Sequence, residues 1–267
     1  MAMTNEAAHA LSRTRGTTWV YGLARILLTP IAKVWYRLRV TGSEYVPAEG
    51  PAIIAPNHKS FYDSFFIGLA TKRHLHFMAK TELFQGRSAR LLSGLGAFPV
   101  RRGTADPDAL ETARILLEKG CVLAMFPEGT RFRDPDALRA PHRGPGRLAI
   151  ETKSPIVPCA ITGTERLFLR GWFPKPVKVQ VSFAPAITPA QLEATPQAAA
   201  ELIENQVWPE VEREFRRLRA NPGLIAAIIA GLSAAAGGGV AYQRQHRKSK
   251  RRIPIPRRRK KKNRFRF

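Results

Sequence analysis

The chain has 267 residues, enough for one large domain with appendages. Hydrophobic residues make up 44% and charged residues 24%, which excludes wholesale disorder, collagen-like repeats and a polytopic membrane protein. The formal net charge is +24; residues 243–267 hold 14 of the 44 basic residues and no acidic one, so residues 1–242 still carry +10. This excess predicts an anionic partner such as nucleic acid, anionic lipid or a phosphorylated substrate.

The N-terminal region, residues 1–39, combines aromatic, apolar and basic side chains. Residues 17–38 predict one or two short amphipathic helices broken near Pro30. Such a mixture suits a helix lying in the lipid headgroup layer better than one crossing the bilayer, and a terminal helix packed on the domain is the alternative. Because Arg25 interrupts the apolar stretch and no cleavage site of small residues follows, we do not predict a secretory signal.

Short apolar runs then alternate with helical patterns, as is typical of a layered α/β domain. We therefore predict, over residues 40–220, an α/β fold with a mostly parallel mixed sheet flanked by helices. The last candidate strand alone alternates cleanly, which predicts that it is half exposed. The candidate strands are residues 52–55, 75–79, 97–100, 122–126, 156–161 and 177–183.

Two helices of this domain carry clear end signals. Asp106 and Pro107 supply an N-cap and a first-turn proline, and Gly120 closes the same helix. A second helix starts at Thr195-Pro196 and runs towards Arg219, with a disturbance expected at Trp208-Pro209.

The composition changes after residue 220. Residues 221–242 form an apolar segment rich in Ala and Gly, in which 224–241 carry no charge and are about long enough to span a bilayer. Residues 243–267 form a basic tail that we expect to be disordered.

One cluster of chemical groups follows directly after the first candidate strand of the domain, in Asn-His-Lys-Ser-Phe-Tyr-Asp at positions 57–63. In one continuous helix His58 and Asp63 would not share a face. In a turn from strand to helix, with Ser60 as the N-cap, His58 could fold back so that Asp63 holds one imidazole nitrogen and the other acts as a base. The alternative is that Ser60 and Asp63 form only a capping box.

Two further loops also follow strands. Phe-Pro-Glu-Gly-Thr-Arg at 126–131 supplies a glycine, a hydroxyl and a guanidinium suited to phosphate, and Arg101 and Arg102 follow the strand at 97–100. Each could be an ordinary polar turn. Their shared position predicts that they meet at the carboxyl edge of the sheet, where such sheets bind ligands.

The order of these motifs resembles the glycerolipid acyltransferase family, and most closely its bacterial 1-acylglycerol-3-phosphate acyltransferases. Asn-His-x-Ser-x-x-Asp, Phe-Pro-Val-x-Arg, Phe-Pro-Glu-Gly-Thr-Arg and Ile-Val-Pro occur in the family's order between residues 57 and 158, and the resemblance covers about residues 40–183. Phe132 departs from this pattern, since the family often has a small hydroxyl residue after the arginine.

The resemblance implies a role for each matching residue. It implies that His58 is the general base and Asp63 its orienting partner, with no metal and no cofactor. It implies that Ile156, Val157 and Pro158 shape the acyl-donor side. It further implies an acceptor phosphate site made by Arg101, Arg102, Glu128, Gly129, Thr130 and Arg131.

The implied activity is transfer of a fatty acyl group from acyl-CoA or acyl carrier protein to the free hydroxyl of 1-acylglycerol-3-phosphate (lysophosphatidate), which makes phosphatidate. Alternatives are the same chemistry on glycerol-3-phosphate or another lysophospholipid, or an inactive acyltransferase-like adaptor that binds lipid or nucleic acid. We expect an anionic membrane surface as a partner at the cytoplasmic face of the cell membrane. Nucleic acid is disfavoured because few aromatic residues interleave with the basic tail.

A single crossing by residues 224–241 would place the enzyme domain and the basic tail on opposite sides of the membrane. The positive-inside tendency puts the tail in the cytoplasm, where the acyl donors are also found. We therefore favour a segment that lies on the surface, re-enters the membrane or is weakly ordered, with a tail that binds anionic headgroups.

The other reactive residues are expected to be structural. Cys121 and Cys159 lie in apolar runs, which predicts two buried thiols in a reducing compartment. His74, His76 and His142 are expected to be structural or exposed, since His74 and His76 lack the carboxylate or thiol company of a metal site.

Overall fold

One seven-stranded mixed sheet organises the computed structural model, which describes residues 4–14, 18–101, 103, 106–167, 175–189 and 195–220. The strand order is β1-β7-β6-β2-β5-β3-β4, and every neighbouring pair is parallel except β6 with β7. The strands are β1 Arg39–Thr41, β2 Ala52–Pro56, β3 Leu75–Lys80, β4 Ala97–Val100, β5 Val122–Ala124, β6 Ile156–Thr162 and β7 Gln180–Phe183.

The centre of the sheet is fully buried and almost entirely apolar. All residues of β2, β5 and β6 are buried, as expected for parallel strands covered on both faces. Ile54 of β2 lies opposite Ala124 of β5 on one side and Val157 of β6 on the other. The carboxyl ends of these three strands therefore lie side by side.

Helices cover both faces of the sheet. One apolar cluster joins the sheet to α2 and α3 through Ala32 and Ile67, and another joins it to α5 and α6 through Leu116 and Leu148. The predicted layered α/β fold is thus confirmed. The helices are α1 Asn5–Thr14, α2 Trp19–Val34, α3 Asp63–Ala70, α4 Gly86–Gly94, α5 Pro107–Glu118, α6 Gly144–Thr152, α7 Pro196–Glu201 and α8 Trp208–Arg219.

The predicted helix ends are present. Asp106 caps α5 by accepting a hydrogen bond from the N–H of Ala109 at 3.4 Å, and Gly120 follows the helix at φ +75°. Thr195 caps α7 through the N–H of Ala198 at 3.1 Å. The irregularity expected beside Pro209 is a π-helical turn, Leu202–Val207, between α7 and α8.

Two predictions about secondary structure were wrong. Helix α2 continues through Pro30 without a break; Pro30 and Ile26 are exposed, so the carbonyl that loses its partner can reach solvent. Strand β7 is not half exposed, because α8 covers its second face and the buried Ser182 hydroxyl donates to Glu214 at 2.6 Å. The sequence analysis also missed α1 and β1.

The two N-terminal helices have different surroundings. Helix α1 packs on the domain, where Nδ1 of His9 lies 2.9 Å from the Thr112 hydroxyl of α5. Helix α2 leaves an apolar outer face in solvent, with Trp19, Ile26 and Val34 at 79%, 71% and 79% exposure. The inner face of α2 does pack on the domain, since Ala32 is buried in the core, and association of its outer face with a membrane stays a prediction.

The predicted apolar segment 221–242 and basic tail 243–267 lie outside the described residues. Within the part of the chain that the structure describes, no helix combines the length and the apolar character needed to cross a bilayer.

Candidate active site

The first strand-to-helix connection of the domain places a histidine at the carboxyl edge of the sheet. Strand β2 ends at Pro56, and the next residue, the buried Asn57, accepts a hydrogen bond from the N–H of Ile161 at 2.7 Å and donates one to its carbonyl at 3.0 Å. The side chain of Asn57 thereby continues the pairing with β6, and the backbone is free to turn. His58 stands at this turn.

His58 and Asp63 are in direct contact. Nδ1 of His58 lies 2.9 Å from Oδ2 of Asp63. An ionised carboxylate can only accept hydrogen bonds, so we assign the imidazole proton to Nδ1, which leaves the lone pair of Nε2 free to take a proton. The predicted fold-back of His58 onto Asp63 is therefore present.

Asp63 is held by four hydrogen bonds and is fully buried. Its Oδ2 also accepts from the N–H groups of Lys59 at 2.7 Å and Ser60 at 2.8 Å, and its Oδ1 accepts from the Thr164 hydroxyl at 2.5 Å. Helix α3 begins at Asp63 itself, so the expectation that Ser60 is the N-cap was wrong. Thr164, which follows β6, was not found from the sequence.

The His58 ring lies on Phe126 and opens into a pocket. The two ring centroids are 4.0 Å apart with 29° between the planes. His58 and Arg131 line one pocket together with Phe61, Ser64 and Lys80. The structure thus brings the candidate base and one candidate phosphate ligand to the same cavity.

Both carboxylate oxygens of Glu128 accept hydrogen bonds from backbone N–H groups. The residue is fully buried; Oε1 accepts from the N–H of His58 at 2.8 Å and Oε2 from the N–H of Arg139 at 3.2 Å. Burial raises the pKa of Glu128, and these hydrogen bonds partly oppose the rise. The carboxylate therefore ties the histidine turn to the loop that follows β5, and a role of Glu128 at the acceptor phosphate stays a prediction.

Lys59 joins the same loop from the other side. Its ammonium group donates to the carbonyl oxygens of Asp134, at 2.7 Å, and Ala137. It also lies 5.1 Å from the ring centroid of Phe132 and 5.2 Å from that of Phe215 in α8. Burial lowers the pKa of Lys59.

Phe132, the residue that departs from the family pattern, packs against Lys59. Its N–H donates to the carbonyl of His58 at 2.8 Å, and its ring covers the Lys59 ammonium. Neither role was readable from the sequence, because the contacts join residues that are about 75 positions apart.

The remaining candidate phosphate ligands are only partly assembled. Gly129 has φ +67°, and it is exposed together with Thr130 and Arg131. Arg101 lies at the end of β4, three strands from β2, where it pairs with Asp106 at 3.1 Å. Burial would raise the pKa of Asp106, but hydrogen bonds from Arg101 outweigh burial and hold it below its usual value. Arg102 lies outside the described residues.

The three residues assigned to the acyl-donor side are core residues of the sheet. Ile156, Val157 and Pro158 are all buried in β6, and none of them lines the His58 pocket. Val157 and Pro158 pair with Ile54 and Ala55 of β2. Their role at the donor side stays a prediction.

The cysteines are not placed to act as nucleophiles here. Both are free; Cys159 is fully buried and Cys121 is partly exposed, and burial raises the pKa of each thiol. Within the described residues, no three His, Cys, Asp or Glu side chains are grouped to hold a metal ion.

The fold and the site together define an α/β protein that presents an aspartate-held imidazole, with Nε2 free, in a pocket beside an arginine. Comparisons with known proteins identify the family. The model of the acyltransferase family matches residues 37–162. The chain is 33% identical over 139 residues to the 1-acyl-sn-glycerol-3-phosphate acyltransferase of Bacillus subtilis, a match that covers 50% of this chain and 68% of that protein.

Two further comparisons extend this result. The chloroplastic 1-acyl-sn-glycerol-3-phosphate acyltransferase LPAT1 of Arabidopsis thaliana is 31% identical over 155 residues, 53% of this chain and 42% of that protein. The crystal structure of the 1-acyl-sn-glycerophosphate acyltransferase PlsC of Thermotoga maritima has the same fold, with a TM-score of 0.58 and 23% identity, over 81% of this chain and 97% of that one. The chain belongs to the acyltransferase family.

Proposed function

We propose that the chain transfers a fatty acyl group from acyl-CoA or acyl carrier protein to the free hydroxyl of 1-acylglycerol-3-phosphate. The observation that carries this proposal is the contact of His58 with Asp63, which leaves Nε2 free in a pocket that Arg131 also lines. The names of the Bacillus and Arabidopsis relatives support the choice of acceptor.

In the proposed reaction, Nε2 of His58 takes the proton of the acceptor hydroxyl as that oxygen attacks the thioester carbonyl carbon. The tetrahedral intermediate collapses with cleavage of the C–S bond, and the leaving thiolate takes a proton from the imidazolium. Asp63 fixes the tautomer and stabilises the imidazolium. Because the acceptor itself is the nucleophile, no acyl-enzyme is needed.

Arg131 and Thr130 are the proposed ligands of the acceptor phosphate among the described residues. Arg131 is a planar donor suited to two phosphate oxygens, and it has no carboxylate partner within 4 Å in the described part of the chain. Gly129 lets the backbone approach a ligand. Arg102, Arg101 and Glu128 stay predicted members of this site, and Glu128 also holds the loop.

An apolar groove beside the site supports a lipid substrate. Phe61 lines both the His58 pocket and this groove, so the two are neighbours. We propose that a fatty chain lies in the groove while its reacting end is at His58. The groove is lined by Leu28, Ile31, Tyr36, Phe65, Phe66 and Leu69, among others.

The same groove reaches α2, whose outer face exposes Trp19, Ile26 and Val34. We propose that this face lies in the headgroup layer at the cytoplasmic side of the cell membrane. The net positive charge would strengthen contact with an anionic surface.

The test offers the full chain a panel of lysophospholipids and glycerol-3-phosphate, with acyl-CoA or acyl carrier protein as donor, and follows release of free thiol. We expect the fastest release with 1-acylglycerol-3-phosphate. His58→Ala should reduce turnover by about 10⁴-fold while the circular dichroism spectrum is unchanged. Near-normal turnover by this variant, or preference for another acceptor, would contradict the proposal.

A further inference from the structure

A second pocket lies at the opposite, amino-terminal edge of the sheet. It is formed where α2 crosses the start of β3 and β5, and we call it the basic pocket. Its charged and titratable lining residues are Tyr21, Arg25, Lys72, Arg73, His74, His76 and Cys121. None of these residues has a part in the proposed acyl transfer.

The basic pocket contains most of the unsatisfied buried polar atoms of the described residues. Four buried side-chain nitrogen or oxygen atoms in that part of the chain have no hydrogen-bond partner, and three of them are Nδ1 and Nε2 of His74 and Nδ1 of His76. His76 is only 3% exposed. Buried polar groups are nearly always hydrogen-bonded, so these nitrogens indicate a partner that is not part of the protein.

The two imidazoles are held as a rigid pair. The ring of His74 lies between His76, with a centroid distance of 4.5 Å, and Tyr21, with a centroid distance of 4.0 Å. Tyr21 is itself fixed, because its hydroxyl accepts from the N–H of Leu75 at 3.3 Å and donates to the carbonyl of Gly68 at 3.2 Å. The nitrogens therefore have a set position before any ligand arrives.

The charge around this pair is positive and uncompensated. Within the described part of the chain, Arg25, Lys72 and Arg73 have no carboxylate within 4 Å. The two guanidinium groups donate to backbone carbonyls, Arg25 to Gly68 at 3.3 Å and Arg73 to Gly50 at 2.6 Å, which fixes their direction without neutralising them. A ligand that satisfies the imidazoles here should be an anion.

We propose that the basic pocket binds a phosphate group. Its oxygens accept from ammonium and guanidinium donors, and its protonated form also carries an O–H donor, so it can bond either nitrogen of a neutral imidazole. Burial lowers the pKa of His74 to about 4 and that of His76 to about 3, so both rings are neutral in the empty pocket.

The position of the mouth indicates where the phosphate comes from. Gly22 lines the pocket with open space beside it, and the exposed Trp19, Leu23 and Ile26 lie on the adjoining outer face of α2. If that face lies in a headgroup layer, as proposed above, a phospholipid phosphate reaches the pocket. Free phosphate has the same chemistry, and the binding itself does not depend on the proposed acyl transfer.

The first experiment titrates inorganic phosphate into the full chain and follows the imidazole NMR signals, assigned with His74→Gln and His76→Gln. We expect saturable shifts of the His74 and His76 signals. Lys72→Gln should weaken this binding about tenfold, because it removes a charge-assisted hydrogen bond. Lys33→Gln, which removes an exposed charge on α2 away from the pocket, is the matched control.

Phosphate that binds at the proposed acceptor site is distinguished from phosphate in the basic pocket by the NMR signal of a different histidine. It should shift His58, and Arg131→Gln should weaken that shift without changing those of His74 and His76. Loss of all three responses in Arg131→Gln would assign the binding to the acceptor site and overturn the proposal.

The second experiment compares sedimentation with vesicles of phosphatidylcholine alone and with added phosphatidylglycerol. If Lys72→Gln loses more binding to the anionic vesicles than Lys33→Gln does, the headgroup is the source of the phosphate. If the two variants lose equal amounts but the inorganic phosphate shifts saturate, free phosphate is the source. Equal losses together with absent or unsaturable shifts would overturn the proposal.

Discussion

The two edges of the sheet hold histidines in opposite electrostatic settings. At the carboxyl edge, Nδ1 of His58 faces the carboxylate of Asp63. At the amino edge, His74 and His76 face arginine and lysine side chains and, among the described residues, have no carboxylate. The imidazole that we propose as a base thus has a carboxylate beside it, and the two that we propose as phosphate ligands have cationic neighbours instead. Burial adds to this difference, because it lowers the pKa of His74 and His76.

The strongest test of this comparison removes the charge of the orienting residue. In Asp63→Asn the side-chain amide can donate a hydrogen bond to Nδ1 of His58. This favours the tautomer in which Nε2 carries the proton, and Nε2 then has no lone pair with which to act as a base. We expect turnover to fall by about 10⁴-fold in the thiol-release assay. A fall below tenfold would mean that Asp63 does not set the tautomer.

Thr164→Val is a matched control for Asp63→Asn. It removes one hydrogen bond from Oδ1 of Asp63 but leaves the carboxylate and its contact with His58. It should therefore lose much less activity than Asp63→Asn, and an equal loss would point to general damage of the turn.

A smaller effect is expected when the loop that carries Arg131 is loosened. Lys59→Met keeps the aliphatic stem but removes the ammonium group that holds the carbonyls of Asp134 and Ala137. We expect KM for the acceptor to rise about tenfold, with a smaller change in kcat, since the phosphate ligands lose their position. Initial rates over a range of acceptor concentrations separate the two.

Lys59→Arg keeps the charge and should recover part of the acceptor affinity that Lys59→Met loses. If kcat falls in Lys59→Met while KM stays constant, Lys59 acts on the base and not on the loop.

The smallest effect is expected at the amino edge. His74→Gln replaces a ring that takes no part in the proposed reaction, so kcat/KM with detergent-dispersed acceptor should stay within about twofold. A loss as large as that of Asp63→Asn would break the comparison, since it would give the two edges one common function. Thermal unfolding of the variant checks that the domain is intact.

The contact of His58 with Asp63 was within reach of the sequence because its signals are local. The end of a strand, a proline and the start of a helix allow His58 and Asp63 to meet, the family resemblance favoured this over a simple capping box, and glycine and proline mark most of the other element ends. Thr164 and Lys59 could not be found in this way. Each reaches its partner across the sheet edge, and the contacts depend on β6, β2 and β5 being neighbours, an order that no local pattern records.

The errors have the same origin. The alternation in β7 indicated one buried face, but α8 covers the other face, and a helix that begins about 25 residues later leaves no trace in the strand's own pattern. Pro30 is a helix breaker by propensity, yet α2 tolerates it on its solvent side. The contacts of Glu128 also depend on tertiary structure, since its buried carboxylate accepts from the N–H groups of His58 and Arg139.

Asn57 shows how a chain can leave a sheet without weakening it. Its carboxamide reproduces, for Ile161, the donor and acceptor that one more backbone residue would have supplied. The backbone N–H and C=O of Ile161 therefore keep their hydrogen bonds where β2 ends, and the chain after β2 is free to turn away from the direction of the strands. The direction in which the His58 imidazole projects therefore depends on Asn57. A side chain at position 57 that cannot replace a peptide group would misdirect the imidazole, although His58 and Asp63 themselves would be unchanged.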